Sequence, residues 1–229
     1  MKRFWKSAQA VQCDGSWCVE LDGRPLRTPA RKPLSVPTQR LAEAIAGEWN
    51  AAEDKIDPRA MPLTGLANAA IDRIAPAREA FADGLAAYGG SDLLCYRADG
   101  PAPLVARQAE HWDPLLDWAR SRYNIAFTVT TGITHRPQPP ETLERLAAAV
   151  HARHPFDLAG LSPLVTVSGS LVIALALAEG AVGLDQAWTA AALDEQWQAG
   201  QWGEDEEAAK ALAGRRRDFE AAARFLSLL

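Results

Sequence analysis

Residues 13–24 read CDGSWCVELDGR, and this stretch decides how the fold begins. Asp14-Gly15 and Asp22-Gly23 are two-residue turn signals of the kind that close type I′ hairpins. Between them Trp17, Val19 and Leu21 alternate with Ser16, Cys18 and Glu20. That period of two is the mark of a half-buried strand. Pro25, Pro29, Pro33 and Pro37 follow at short intervals and confine the next stretch to edge strands or extended loop.

Beyond residue 37 the pattern turns helical. Thr38 is placed to cap a helix running to about Glu53, with Leu41, Ala44, Ile45, Trp49 and Ala52 on its apolar stripe. A second helix starts near Pro62 and carries Leu63, Leu66, Ala70, Ile71 and Ile74 until Pro76 interrupts it. Another helix follows to about Tyr88. Leu93 to Tyr96 is a short apolar run, strand or helix. Pro103 to about Tyr123 is a long amphipathic helix, and the β-branched run Ile125 to Thr131 predicts a lone strand. Helices are expected from Glu141 to about Ala152, from Leu158 to Ala178, from Leu184 to Trp202, and from about Asp205 to Leu228. A small β-containing start followed by a helical remainder is an α+β plan. It divides into a β-rich domain with one helix over 1–60 and a helical domain over 61–229.

Composition narrows the function. The chain has 229 residues, 48% of them hydrophobic, and a net charge of −5. An acidic chain lacks the basic footprint of a general nucleic-acid binder. Residues 1–37 are locally basic, with seven Lys or Arg against three acids, which suits charged sheet edges that resist aggregation. Cys13, Cys18 and Cys95 are an odd number of thiols without a secretory signal, so free thiols are expected. The 21 residues from Leu158 to Ala178 carry no charge and are long enough to span a bilayer. Ser162, Pro163, Thr166, Ser168, Gly169 and Ser170 dilute them, however, and a buried core helix is the expected reading.

Catalytic signals are sparse. Neither phosphate-binding glycine motif is present. His151 and His154 could belong to a metal-dependent enzyme, the alternative function, but two ligands do not complete a site, and a helix C-terminus also favours histidines. Ser168-Gly169-Ser170 sits within an apolar helical run rather than at a strand-to-helix elbow. No cofactor is expected.

The unusual segment is LDEQWQAGQWGEDEEAAKALAGRRRDFE, residues 193–220. On one continuous helix Trp188, Glu195 and Trp202 would lie within about 40° of one line, while Trp197 points the opposite way with Asp194 about 60° from it. A carboxylate buried between indoles is costly unless paired. Either an Arg from elsewhere pairs with it, or the face is an exposed binding surface. Acids from Glu204 to Glu207 and arginines from Arg215 to Arg217 also suit the helix dipole. Exposed Trp side chains, by contrast, are typical interface anchors.

LDEQWQAGQWGEDEEA resembles the C-terminal signature of the ATP-twelve family, the assembly chaperones of the ATP synthase catalytic head. LDGRPLRTPARKPL, LAEAIAGEWNAAEDKIDPRAMPLTGLANAAIDR, SDLLCYRADGP, QAEHWDPLLDWA and VTVSGSLVIALALAEG agree in the same order, so the resemblance covers almost the whole chain. It implies a small β-rich N-terminal domain and a larger helical domain, an orthogonal bundle. It also implies a non-enzymatic monomer that binds the unassembled α subunit and shields the surface that β subunits later cover. The location implied is the bacterial cytoplasm, with the mitochondrial matrix in eukaryotic relatives, and neither nucleic acid nor stable membrane insertion is involved. The family's functional acidic position falls on Asp194, and the Trp-Gly signature falls on Trp202-Gly203. Client binding is therefore expected at Asp194, Glu195, Trp197, Trp202 and Glu206. The Trp of the family's Glu-Trp motif falls on Trp49, where the apolar stripe favours a structural role.

Overall fold

The computed structural model describes residues 3–202 and 205–229. Two turns build the sheet. Asp14 and Gly15 take φ of 40° and 78°, and Asp22 and Gly23 take 50° and 76°, the left-handed values that a type I′ hairpin requires. They join β1 (Ala8–Cys13), β2 (Ser16–Leu21) and β3 (Arg24–Pro25) into an antiparallel path, and β4 (Ser35–Val36) pairs the other end of β2. Val19 and Leu21 are buried, as the alternation predicts.

The expectation of free thiols at Cys13 and Cys18 is corrected. The register sets Cys13 opposite Ser16 and Cys18 opposite Val11, which puts both cysteines on one face of the hairpin. Their Cα atoms are 6.0 Å apart and their sulfurs are joined in a disulfide. Cys95 is the free cysteine, and burial, with Asp92 nearby, pushes its thiol up to about 12.

Helix α1 (Gln39–Ala51) starts where Thr38 accepts a hydrogen bond from the Leu41 amide. It packs Leu41 and Ile45 against the sheet. Glu48 of α1 accepts from the Leu63 and Thr64 amides at 2.7 and 2.8 Å, so it caps α2 (Pro62–Ala69). Beside it, Trp49 meets the Trp5 ring edge-on at 4.8 Å and its carbonyl takes the Trp5 indole N–H. A π turn (Ala70–Ile74) and a 3-10 turn (Ala75–Ala77) carry the chain through Pro76. The proline lacks an N–H to donate, and the Ala75 amide reaches back to Ala70 instead.

Helix α3 (Arg78–Ala86) precedes a 3-10 turn over Leu93–Cys95 and the two-residue β5 (Tyr96–Arg97). Helix α4 (Ala102–Tyr123) ends in left-handed Asn124. The predicted strand over 125–131 reduces to β6 (Thr130–Thr131), paired parallel to β5. Helix α5 (Pro140–His151) follows.

The apolar run does not form one helix. α6 (Pro155–Ser168) and α7 (Leu171–Ala178) part at Gly169, whose φ is +67°. Ser170 caps α7 by accepting the Ile173 amide, and Asp92 holds that cap. Fully buried, Asp92 accepts from Ser170 Oγ at 2.7 Å and from the Val172 amide at 3.0 Å, at the N-terminus of α7. No helix among the described residues is long and apolar enough to cross a membrane. The predicted helix 184–202 is likewise two, α8 (Leu184–Ala191) and α9 (Leu193–Trp202), before α10 (Glu206–Ser227).

The chain forms two compact units. One comprises Met1–Arg78, His154–Gly160 and Arg224–Leu229; the other comprises Glu79–Arg153 and Leu161–Ala223. The fold is α+β. In the first unit Phe156 stacks on Phe225 at 6.3 Å, and Thr38 donates to the Leu228 carbonyl. In the second, Trp112, Leu115, Leu116, Leu146, Leu171 and Phe219 are buried.

Candidate functional site

The site is built on the junction of α8 and α9. Ala192, at φ −102° and ψ 12°, ends α8 and its N–H bonds back to Trp188. Asp194 and Glu195 then occupy the first turn of α9, where the positive end of the helix dipole favours carboxylates. The junction is anchored from α4, where the buried Trp112 donates its indole N–H to the Ala190 carbonyl at 2.9 Å. Arg97 lies over that indole, 5.2 Å from a ring centroid, a cation–π contact.

The two carboxylates have different partners. Asp194 Oδ1 accepts from Gln108 Nε2 at 2.8 Å, and Gln108 Oε1 accepts the Ala98 amide at 2.9 Å. Gln108 is buried, so it fixes Asp194 from beneath. Glu195 Oε1 pairs with Arg215 of α10 at 2.6 Å, and the same guanidinium donates to the Val167 carbonyl at 2.9 Å. Of the two outcomes that sequence left open for these acids, an arginine partner is the one found at Glu195. Asp194 has a neutral amide.

Two hollows flank this pair. One, of about 410 Å³, is bordered by Trp112, Ser168, Asp194 and Arg215. The other, of about 590 Å³, runs between α9 and α10 along Trp188, Ala199, Ala208 and Leu212. Glu195, Gln198 and Arg215 border both. The arrangement offers acceptors, small apolar patches and one part-exposed ion pair, which suits holding a polypeptide.

The remaining expected positions fare differently. Trp197 is half-buried on α9. Trp202 closes that helix, with its side chain outside the described residues, as are Gly203 and Glu204. Glu206 is exposed and pairs with Lys210 one turn on at 2.6 Å. The break at Ala192 undoes the predicted alignment of Trp188 with Glu195 and Trp202. Trp188 is a core residue, 5.6 Å from the Phe219 ring. Gln108 does not stand out from sequence, and Arg215 reads there only as a complement to the helix dipole. A signal for Gln108 existed: it stands on the stripe that continues through Trp112, Leu115, Leu116 and Ala119, where a glutamine needs partners.

His151 has both ring nitrogens engaged, Nε2 with Asp83 and Nδ1 with Glu79, each at 2.8 Å. Those bonds, Asp83's first, raise its pKa. His154 Nδ1 accepts the Phe156 amide at 3.4 Å. Among the described residues no group of three or more His, Cys, Asp or Glu is placed to hold a metal ion.

A family model described as ATP12 chaperone protein matches residues 2–120. The crystal structure of Atp12 from Paracoccus denitrificans is 46% identical, with 99% of this chain and 97% of that one aligned at a TM-score of 0.94. A protein from Agrobacterium tumefaciens is 43% identical at the same TM-score, over 99% of this chain and 85% of its own. Mitochondrial protein atp12 of Schizosaccharomyces pombe is 26% identical over 220 residues, 90% of this chain and 75% of that protein.

Proposed function

The chain belongs to the ATP12 chaperone family, and from that premise we propose that it holds the unassembled α subunit of ATP synthase until the catalytic head forms. An unassembled subunit exposes apolar surface that its neighbours later cover, and such surface aggregates if left bare. A chaperone that covers it needs no nucleotide, because the larger native interface displaces it by mass action.

The observation that carries the reading is the Asp194–Glu195 pair on the first turn of α9, one acid held by Gln108 and the other by Arg215. The client-binding surface is Asp194 and Glu195 with Trp197, extended by Trp202 and Glu206 on either side of the α9–α10 connection. A basic side chain of the client competes with Arg215 for Glu195 and meets Asp194 beside it. Apolar client side chains enter the alanine-lined hollow along α10.

The test is co-purification with tagged protein from its own cells, followed by the Asp194→Lys variant. Retention of free α subunit with little β subunit supports the proposal. Asp194→Lys is expected to lose the α subunit while still folding, its thermal midpoint lowered by no more than the lost Gln108 bond and the unfavourable charge at the helix start explain. Capture undiminished in a folded Asp194→Lys protein removes Asp194 from the binding surface, and failure to enrich any ATP synthase subunit removes the client.

A further inference from the structure

A third concavity, of about 760 Å³, opens among the C-terminal ends of α4, α5 and α7, away from the Asp194 pair in sequence and in lining. Arg122, Arg145 and Arg153 border it; among the described residues Glu179 is the one carboxylate in its wall, and Glu141 pairs with Arg145 from outside it. In a chain of net charge −5, this is a local excess of positive charge. The floor is made of Ala148, Ala149 and Ala152, whose small side chains leave the space open.

Glu179 displays how the concavity treats an anion. Its Oε2 accepts from Arg122 Nε at 2.6 Å, and its Oε1 accepts from Arg153 at 2.6 Å and the Tyr123 hydroxyl at 2.8 Å. Burial pushes the Glu179 carboxyl up, but the bonds from Arg122 and Tyr123 and the charge of Arg153 outweigh it, and it titrates below the usual carboxylate range. Helix ends attract arginines for the sake of their own carbonyls, and Arg145 serves that purpose by donating to the Tyr123 and Asn124 carbonyls at the end of α4. Arg122 does not. It spends Nε on Glu179 and rests 5.3 Å over the Tyr123 ring, which leaves both terminal nitrogens without a hydrogen bond among the described residues.

We propose that this concavity is an anion-binding site that receives a carboxylate-rich segment of a protein partner, with Arg122 as the incoming group's principal ligand. The occupant is a carboxylate because a carboxylate is what the concavity already holds: each Glu179 oxygen takes its own donors, Arg122 on one and Arg153 with Tyr123 on the other. An acidic side chain entering beside Glu179 takes the free edge of Arg122 and competes with Glu179 for Arg153. The proposal does not depend on the identity of the client at α9.

The probe is a fluorescein-labelled hexaglutamate peptide titrated into the full chain at low salt and followed by anisotropy. Saturable binding is expected, and it should weaken as salt rises. Arg122→Glu, and separately Arg122→Gln, should weaken it about tenfold or more, since one charge-assisted hydrogen bond is worth that ratio. Glu179→Gln removes the internal competitor and should tighten it. All three variants are checked for an unchanged thermal midpoint, and Arg122→Gln keeps the test open if charge reversal disturbs folding. Absence of saturable binding, wild-type affinity in both Arg122 variants, or unchanged affinity in Glu179→Gln overturns the proposal. Inorganic phosphate that displaces the peptide at equal concentration assigns the site to phosphate and also overturns it.

Discussion

Gln108 holds Asp194 by a hydrogen bond of 2.8 Å across 86 residues of sequence, and its orientation is not free. The Ala98 N–H can only donate, so Gln108 Oε1 must face it and Nε2 must face Asp194. A flipped amide would lose both bonds.

Gln108→Leu therefore leaves the Ala98 amide and one Asp194 oxygen without their partner. The expected loss is about 1–3 kcal/mol, read as a shift in the urea midpoint. Capture of the client should fall further than this loss explains, because Asp194 is no longer fixed. Gln108→Glu, which faces one carboxylate with another, should be the more damaging change. Equal capture in all folded variants would separate Gln108 from binding.

Arg215 joins Glu195 to the Val167 carbonyl at the end of α6. The ion pair is part-exposed on both sides, 40% and 43%, so its own contribution is at most about 1 kcal/mol. Arg215→Ala is expected to lower the thermal midpoint modestly, and less so in high salt. Arg215→Lys should restore only part of the loss, since a single ammonium does not reproduce the guanidinium's fork. With Arg215 shortened, the wall shared by the two hollows is lost. If Glu195 is the client's contact, Arg215→Ala should tighten capture.

Much of the plan is legible locally. The Asp-Gly turns, Thr38 at the start of α1 and the extent of α4 all depend on residues a few positions apart, and the sequence reading and the structure agree there. The breaks at Gly169 and Ala192 are less so. The first has local markers in Gly169 and the capping Ser170, but the buried Asp92 that holds the cap lies 78 residues from Ser170. The run 125–131 has β-branched residues but a partner only two residues long, so almost all of it stays outside a sheet. At the site, Asp194 and Glu195 stood out because acids beside Trp are unusual. What holds them was invisible, since Gln108 and Arg215 arrive from other helices.

Asp92 gives a pH test with a defined sign. Burial raises its carboxyl to about 6 from 3.8, against the pull of the Val172, Ser170 and Leu94 hydrogen bonds. A folded-state value above the unfolded one means that the protonated form is favoured by folding. The stability linked to that proton is full below about pH 4 and is lost as pH rises through about 6. A shift of about two units corresponds to a change on the order of 3 kcal/mol. Asp92→Asn cannot titrate, and its amide turns an NH₂ toward backbone donors, so the variant should be less stable at neutral pH. Urea midpoints from pH 4 to 7 should show wild type losing stability relative to Asp92→Asn as pH rises. Parallel curves would mean that Asp92 is ionised throughout.

Gly160 and Gly65 make opposite predictions from the same substitution. Both lie in helices, α6 and α2, where replacing glycine by alanine ordinarily gains about 1 kcal/mol through reduced backbone entropy. At Gly65 an added Cβ meets nothing within 4 Å, so Gly65→Ala should raise the thermal midpoint. At Gly160 the same Cβ would lie 2.6 Å from Leu226 Cγ and Cδ2 and 3.2 Å from Phe225 Cδ1. Phe225 is fully buried and stacked on Phe156, so it has no room to yield, and Cγ cannot move without the rest of Leu226. Overpacking of this kind costs about 1–3 kcal/mol, enough to cancel or exceed the entropy gain. Gly160→Ala should therefore lower the midpoint while Gly65→Ala raises it. A midpoint that rises in both variants would show that the 224–229 segment gives way at Gly160.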